Sequence, residues 1–306
     1  MQASMTGSAM SFNRILLATD FSAASQTAFR VALCICADLR ASLLILHVFE
    51  NVNASSRIGN KFVELESVDK ANRSSLDNLR EVAERSGVVC GTSMIPGAPS
   101  MAVMETISAQ NIDLVVLGTN ALHGFERLVF GSTAEAILCE APCPVLTVGP
   151  QVSDSAMARH VDGPVVFTTD FHRTTTHALR YAEPFCTASK SPLHCLHVLP
   201  RSLESGSPNK IVPLIMTEAL HHVATESGTA ISFPICAVTY GSEISNAVVE
   251  YARQHHAKLI VMGVRRASML ASHVPAHITY RIITEAPCPV LTISFGSEQE
   301  PAQTAA

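Results

Sequence analysis

Residues 15–22 read ILLATDFS, and 150 positions later residues 165–172 read VVFTTDFH. The same offset places Ala28 and Arg30 on Ala178 and Arg180, and Leu46-His47-Val48 on Leu196-His197-Val198. Further along, IDLVVLG ending at Gly118 returns as AKLIVMG ending at Gly263, now offset by 145. That second offset runs without a gap to EAPCPVLT, identical at 140–147 and 285–292. Eight identical residues at matched positions mark a duplication, and a duplication decides the fold before any single element is read.

Within the first copy, Ile15–Thr19, Leu43–Val48, Val88–Met94, Leu114–Leu117 and Val145–Val148 are short runs rich in Val, Ile and Leu. Unbroken apolar runs of this length suit parallel strands covered on both faces. Helical stretches separate them: Ala23–Leu39, Lys61–Ser86, Ser100–Gln110 and Thr133–Cys139. Alternating β and α elements predict an α/β fold, here two tandem doubly wound parallel five-stranded sheets. The second copy is expected to repeat the order, with Pro234 inside its third strand. A proline lacks the ladder N–H, so that strand is expected at a sheet edge. The expected boundaries are a loose start (1–13), a first domain (14–149), a linker (150–163), a second domain (164–294) and a loose tail (295–306).

The bulk numbers narrow the function. Hydrophobic residues are 47% and charged residues 15%, which fits buried α/β cores rather than disorder. Net charge is −5 with no basic run, and Trp is absent, so nucleic acid is not an expected partner. Nine cysteines fall in no CxxC pair, which argues for buried thiols in a reducing compartment rather than a disulfide or zinc framework. No signal peptide and no membrane-spanning run is read, so a cytoplasmic location is expected.

In an open parallel sheet, ligands bind beyond the carboxyl ends of the strands. In the first copy Asp20 follows strand one, and GTNALHGFERLVFGST (118–133) follows strand four. Gly118 permits a sharp turn and Gly131 a close backbone approach. Ser132-Thr133-Ala134-Glu135 reads as a capping box with Ser132 as N-cap, and a helix start of that kind suits a phosphate. Neither GxxxxGK[ST] nor GxGxxG is present, which sets aside P-loop and Rossmann sites.

Taken together, the TDFS strand end, the Leu-His-Val second strand, the spaced glycines ending in Gly-Ser and the APCPVLTV segment resemble the universal stress protein family. The resemblance covers about residues 14–148 and 164–293. It implies the strand order 3-2-1-4-5 of the adenine nucleotide alpha hydrolase-like fold. It also implies an ATP or other adenine-nucleotide pocket, with Mg²⁺, in a stress-response regulatory module. Carried over by position, the pocket would be Thr19, Asp20, Val48, Gly118, Asn120, Ala121, Gly131, Ser132 and Thr133. Ala121 departs from the pattern, standing where the family has a second glycine. Its methyl would cost about 1 kcal/mol if positive φ is required there. Members of the family commonly dimerise through the last strand. A pseudo-twofold pair of the two copies through their VLT strands is therefore expected, with a homodimer as a further option.

The second copy keeps Asp170 and Gly263 but puts Arg266, Ala276 and His277 where the first has Ala121, Gly131 and Ser132, and Tyr280 where it has Glu135. It is expected to be a degenerate domain without phosphate binding. No catalytic constellation is read; Glu126 and Arg127 are the only charged pair near the loop, so slow ATP hydrolysis is the most that is expected. His47 and His197 read as structural hydrogen-bonders. The pairs His221-His222 and His255-His256 do not read as metal sites, since adjacent helix residues diverge. Cys143 and Cys288 read as inert. The readings that compete with nucleotide binding are an interaction scaffold and an ATPase.

Overall fold

The computed structural model describes residues 10–49, 61–119, 131–153, 162–204, 211–227, 231, 233–265 and 275–295, with the backbone alone at 61–69, 173, 174, 265 and 275–277. Asn120, Ala121, Glu126, Arg127, Arg266, most of the expected linker and nearly all of both expected loose ends lie outside the described residues. The chain divides into two compact units, which meet in the chain at Val148–Gly149.

In the first unit the order is β1 (Arg14–Thr19), α1 (Ala23–Leu39), β2 (Ser42–Phe49), α2 (Lys61–Arg85), β3 (Cys90–Pro96), α3 (Pro99–Gln110), β4 (Leu114–Gly118), α4 (Ser132–Glu140) and β5 (Val145–Val148). The strands are parallel, and their hydrogen-bonded order is β3-β2-β1-β4-β5. The centre of the sheet is its driest part. Ile15, Leu16 and Leu17 of β1 and Leu114, Val115 and Val116 of β4 are fully buried, as expected for strands with helices on both faces.

Local chemistry sets the ends of these elements. Ser22 caps α1, its hydroxyl accepting from the Ser25 amide at 3.3 Å. Left-handed Arg40 and Asn111 close α1 and α3, and Pro99 opens α3 where a missing N–H costs nothing. Gly87, at φ +78°, ends α2, with the Val88 amide reaching back to the Ala83 carbonyl at 3.0 Å. That bond claims Val88 for the helix end, so β3 begins at Cys90 rather than at the expected Val88.

The second unit runs β6 (Val165–Thr168), α5 (Arg173–Thr176), a 3-10 turn (His177–Tyr181), α6 (Glu183–Ser189), β7 (Leu193–Pro200), a 3-10 turn (Arg201–Leu203), α7 (Ile211–Glu226), β8 (Ile235–Gly241), α8 (Ile244–Gln254), β9 (Leu259–Arg265), α9 (Pro275–Glu285) and β10 (Val290–Phe295). Its parallel strands lie in the order β8-β7-β6-β9-β10, the first unit's order with the same roles.

Two expectations are corrected here. The first helix of the second copy is not one helix but α5, a 3-10 turn and α6. Three consecutive threonines lower helix propensity at its start, and Pro184 within the first two positions of α6 can give no amide to the turn before it. Pro234 is not inside the third strand but immediately before it, and β8 is an edge strand as its proline suggested.

Candidate functional site

The loop after β1 is built by its own side chains. Thr19 is buried; its hydroxyl accepts from the Phe21 amide at 3.0 Å and donates to Ser25 Oγ at 3.0 Å. Asp20 is exposed, and its Oδ1 accepts from the Ser22 amide at 3.0 Å. Ser22, not Asp20, is therefore the cap of α1, and the Asp20 carboxylate faces outward from the strand end. Burial raises its pKa, but hydrogen bonds from Ser22 and Ser25 outweigh that, so the carboxyl sits below its ordinary value and is anionic at neutral pH.

Phe21 holds φ +61°, a left-handed conformation that a bulky residue adopts at a cost. Its ring lies against His47 with centroids 4.5 Å apart. His47 Nδ1 is 2.9 Å from the Thr19 carbonyl, which can only accept, so the ring donates there. The imidazole thus ties the end of β2 to the end of β1. The second unit repeats these contacts: the Phe171 amide on Thr169 Oγ1 at 2.9 Å, the His172 amide on Asp170 Oδ1 at 3.0 Å, Phe171 at φ +61°, and His197 Nδ1 at 2.8 Å from the Thr169 carbonyl. Where Ser25 takes the Thr19 hydroxyl, however, Thr175 donates to Asp170 instead. Phe21, Ser25 and Phe171 were absent from the candidates read in the sequence. The recurrence of Thr-Asp-Phe in both copies was the signal that could have found the two phenylalanines.

Gly118 ends β4 against the start of α1. A Cβ there would lie 2.4 Å from the Ala24 carbonyl oxygen and 2.7 Å from the Ser25 nitrogen, so glycine is required for close approach of two backbones. Thr19, Asp20, Val48 and Gly118 are thereby gathered at the carboxyl ends of three neighbouring strands, β1, β2 and β4. Gly131, Ser132 and Thr133 stand at the opening of α4. The expected capping box is not formed: Gly131 is the N-cap, Ser132 is the first helical residue, and no side chain caps the end. Gly131 is already extended (φ −60°, ψ 134°) and its carbonyl takes the Glu135 amide at 2.9 Å, so the serine enters the helix instead of preceding it. Among the described residues a Cβ on Gly131 would meet nothing within 4 Å, and Gly131 and Ser132 are exposed.

The second unit holds a hollow of ≈ 260 Å³ at the corresponding strand ends. Thr169, Asp170, His197, Val198, Met262 and Gly263 line it, and apolar side chains of α8 and α9 close it. Reading the copy as degenerate missed this hollow, because the lost residues belong to the loop and helix start while the cavity is made by strand ends that the duplication preserved.

His194 Nδ1 lies 2.9 Å from the Tyr251 hydroxyl, and the His255 ring stacks on Tyr251 with centroids 4.0 Å apart and meets His194 edge-on at 5.4 Å. Burial, with the neighbouring His255, lowers the His194 pKa. A histidine that protonates less readily when folded makes the unfolded chain bind the extra proton first. Stability is then full above about pH 6.5 and falls as pH drops below it. The expected result is that His194→Gln flattens this part of the stability–pH curve, measured by urea denaturation at stepped pH; an unaltered curve would contradict it. Among the described residues no group of three or more His, Cys, Asp or Glu could hold a metal ion. No helix among them is long and apolar enough to cross a membrane.

These two units define a duplicated, doubly wound α/β protein whose candidate sites lie at the strand ends. A family model described as the universal stress protein family matches residues 11–149 and again residues 163–294, and the chain belongs to that family. A universal stress protein of Methanocaldococcus jannaschii is 31% identical over 142 residues, covering 45% of this chain and 82% of that protein. One from Thermus aquaticus is 30% identical over 142 residues, covering 45% and 98%. Among solved structures, a universal stress protein from Archaeoglobus fulgidus covers 93% of this chain and 99% of its own, with a TM-score of 0.71 at 18% identity, a likeness of fold.

Proposed function

We propose that the chain is a stress-response module that binds ATP or another adenine nucleotide in its first domain. The observation that carries the reading is the start of α4: an N-cap glycine with, among the described residues, no capping side chain and no atom within 4 Å of where a Cβ would stand. Amides of a first helical turn left without a capping side chain, together with the positive end of the helix dipole, suit a phosphate chain. Ser132 and Thr133 add hydroxyl donors. At the other end of the site the Asp20 carboxylate is a fixed acceptor for sugar or base donors, and Val48 and Gly118 supply the apolar and backbone surface beside it. Asn120 and Ala121 belong to the same proposed pocket by position in the sequence. Mg²⁺ is proposed to arrive with the nucleotide, whose phosphates provide the hard oxygen ligands it prefers.

Turnover is not part of the proposal beyond slow hydrolysis. His47, near the end of β2, spends one nitrogen on the Thr19 carbonyl and packs its ring against Phe21. That is the geometry of a structural tie. Isothermal titration of the full chain with ATP and excess Mg²⁺ tests the reading. Saturable heat with one nucleotide per chain is expected; no heat at high micromolar nucleotide would leave the scaffold reading in its place.

A second reading has one observation in its favour, the hollow of the second domain. Its walls are mainly apolar, with threonine, aspartate and histidine at one end, the pattern of a small-molecule pocket. Two nucleotides per chain in the titration would assign that hollow to the same ligand.

A further inference from the structure

Cys195 on β7 and Cys236 on β8 are register partners in neighbouring parallel strands. Such strands run about 4.8 Å apart, which places the two residues within the Cα separation a disulfide spans. In-register partners also project from the same face of the sheet, so the two sulfurs are neighbours across the strand pair. The two thiols differ in access. Cys195 is fully buried, while Cys236 is partly exposed on the edge strand.

We propose that Cys195 and Cys236 are a peroxide-oxidised dithiol pair, with Cys236 as the attacking sulfur and Cys195 as the resolving one. The partly exposed Cys236 is the sulfur that peroxide can reach, and its neighbouring sulfur lowers its pKa, while that same neighbour and burial raise the pKa of Cys195. Burial pushes the thiols of Cys36, Cys143 and Cys186 up to about 12. In the first step the Cys236 thiolate attacks hydrogen peroxide. An S–O bond forms, the O–O bond breaks, and the departing hydroxide takes a proton to become water. Cys236 is then a sulfenic acid and the peroxide is reduced. In the second step the Cys195 sulfur attacks that sulfenic sulfur. The S–S bond forms as the S–O bond breaks, and the oxygen leaves as a second water with the Cys195 proton. The product ties the edge strand to β7 one residue before Leu196, which begins the wall of the second domain's hollow.

The test uses the full chain, treated with hydrogen peroxide, alkylated with N-ethylmaleimide and digested for peptide mapping. The expected result is a dithiothreitol-sensitive peptide pair joining Cys195 to Cys236, with the other cysteines still alkylated. A map in which Cys236 is over-oxidised while Cys195 remains alkylatable, or is linked elsewhere, overturns the proposal. Cys195→Ala is expected to trap the Cys236 sulfenic acid as a dimedone adduct at least tenfold above the level of the native chain; no adduct overturns it. Should that buried change prevent folding, Cys236→Ser on the partly exposed strand keeps the test open. It is expected to abolish the linked pair, and a persisting Cys195 disulfide at unchanged yield would refute the pairing.

Discussion

Gly118→Ala is expected to lower the melting temperature of the first domain by about 5 °C or more. The added carbon would sit 2.4 Å from the Ala24 carbonyl oxygen and 2.5 Å from its carbon. Both belong to the backbone, so no side chain can swing away, and either α1 or the end of β4 must shift. Overpacking of this kind costs about 1–3 kcal/mol or more, which for a domain of this size moves the midpoint by several degrees. Gly263→Ala makes the matching approach to Thr175, at 2.7 Å from its Cα and its carbonyl oxygen. There the opposing helix is the four-residue α5, which can yield more easily than the seventeen-residue α1, and a smaller shift is expected. Differential scanning calorimetry of both variants reads the comparison. Equal or absent shifts would show that the two strand ends are not held as the close contacts indicate.

Asp20→Ala is expected to weaken ATP binding by roughly tenfold to a hundredfold, the loss of about 1.5–3 kcal/mol that accompanies removal of a charged hydrogen-bonding partner. The fold should survive, because Ser22 and not Asp20 caps α1. Titration of the variant alongside Asp170→Ala separates the domains. If the nucleotide sits where the open start of α4 suggests, only the first substitution matters. An unchanged dissociation constant for Asp20→Ala with a weakened one for Asp170→Ala would move the site to the second domain's hollow.

Much of this architecture was legible in the sequence because duplication and apolar runs are collective signals. The two copies, their alternation of strands and helices and the bounds of α1 follow from many residues agreeing, while the strand order came with the family resemblance and the edge position of β8 from Pro234. What was misread turned on single residues in competition. Ser132 and Gly131 are both acceptable N-caps, and the backbone of Gly131 settled the matter by one position. Val88 has the composition of a strand but is held by the helix end through the Ala83 carbonyl. Pro184 was visible, yet its effect on the helix of the second copy depended on the weak threonine run before it. The candidate site was half legible. Asp20 and Gly118 were marked by lying at strand ends, whereas the buried hydroxyl pair of Thr19 and Ser25 and the left-handed Phe21 are contacts made across the turn, which no spacing rule reports. The hollow of the second domain was hidden for the opposite reason, since its walls are ordinary apolar strand residues.

The position of Pro234 has a meaning beyond strand order. Phe233 is 91% exposed and Ile235 50% exposed at the outer rim of the second sheet, side chains that would invite a stray chain to add itself there. Between them stands a residue with no amide hydrogen to offer, so a foreign strand finds a gap in the ladder where it would begin to zip. The proline acts as a gatekeeper against edge-to-edge aggregation, standing between two exposed apolar side chains at the sheet's rim.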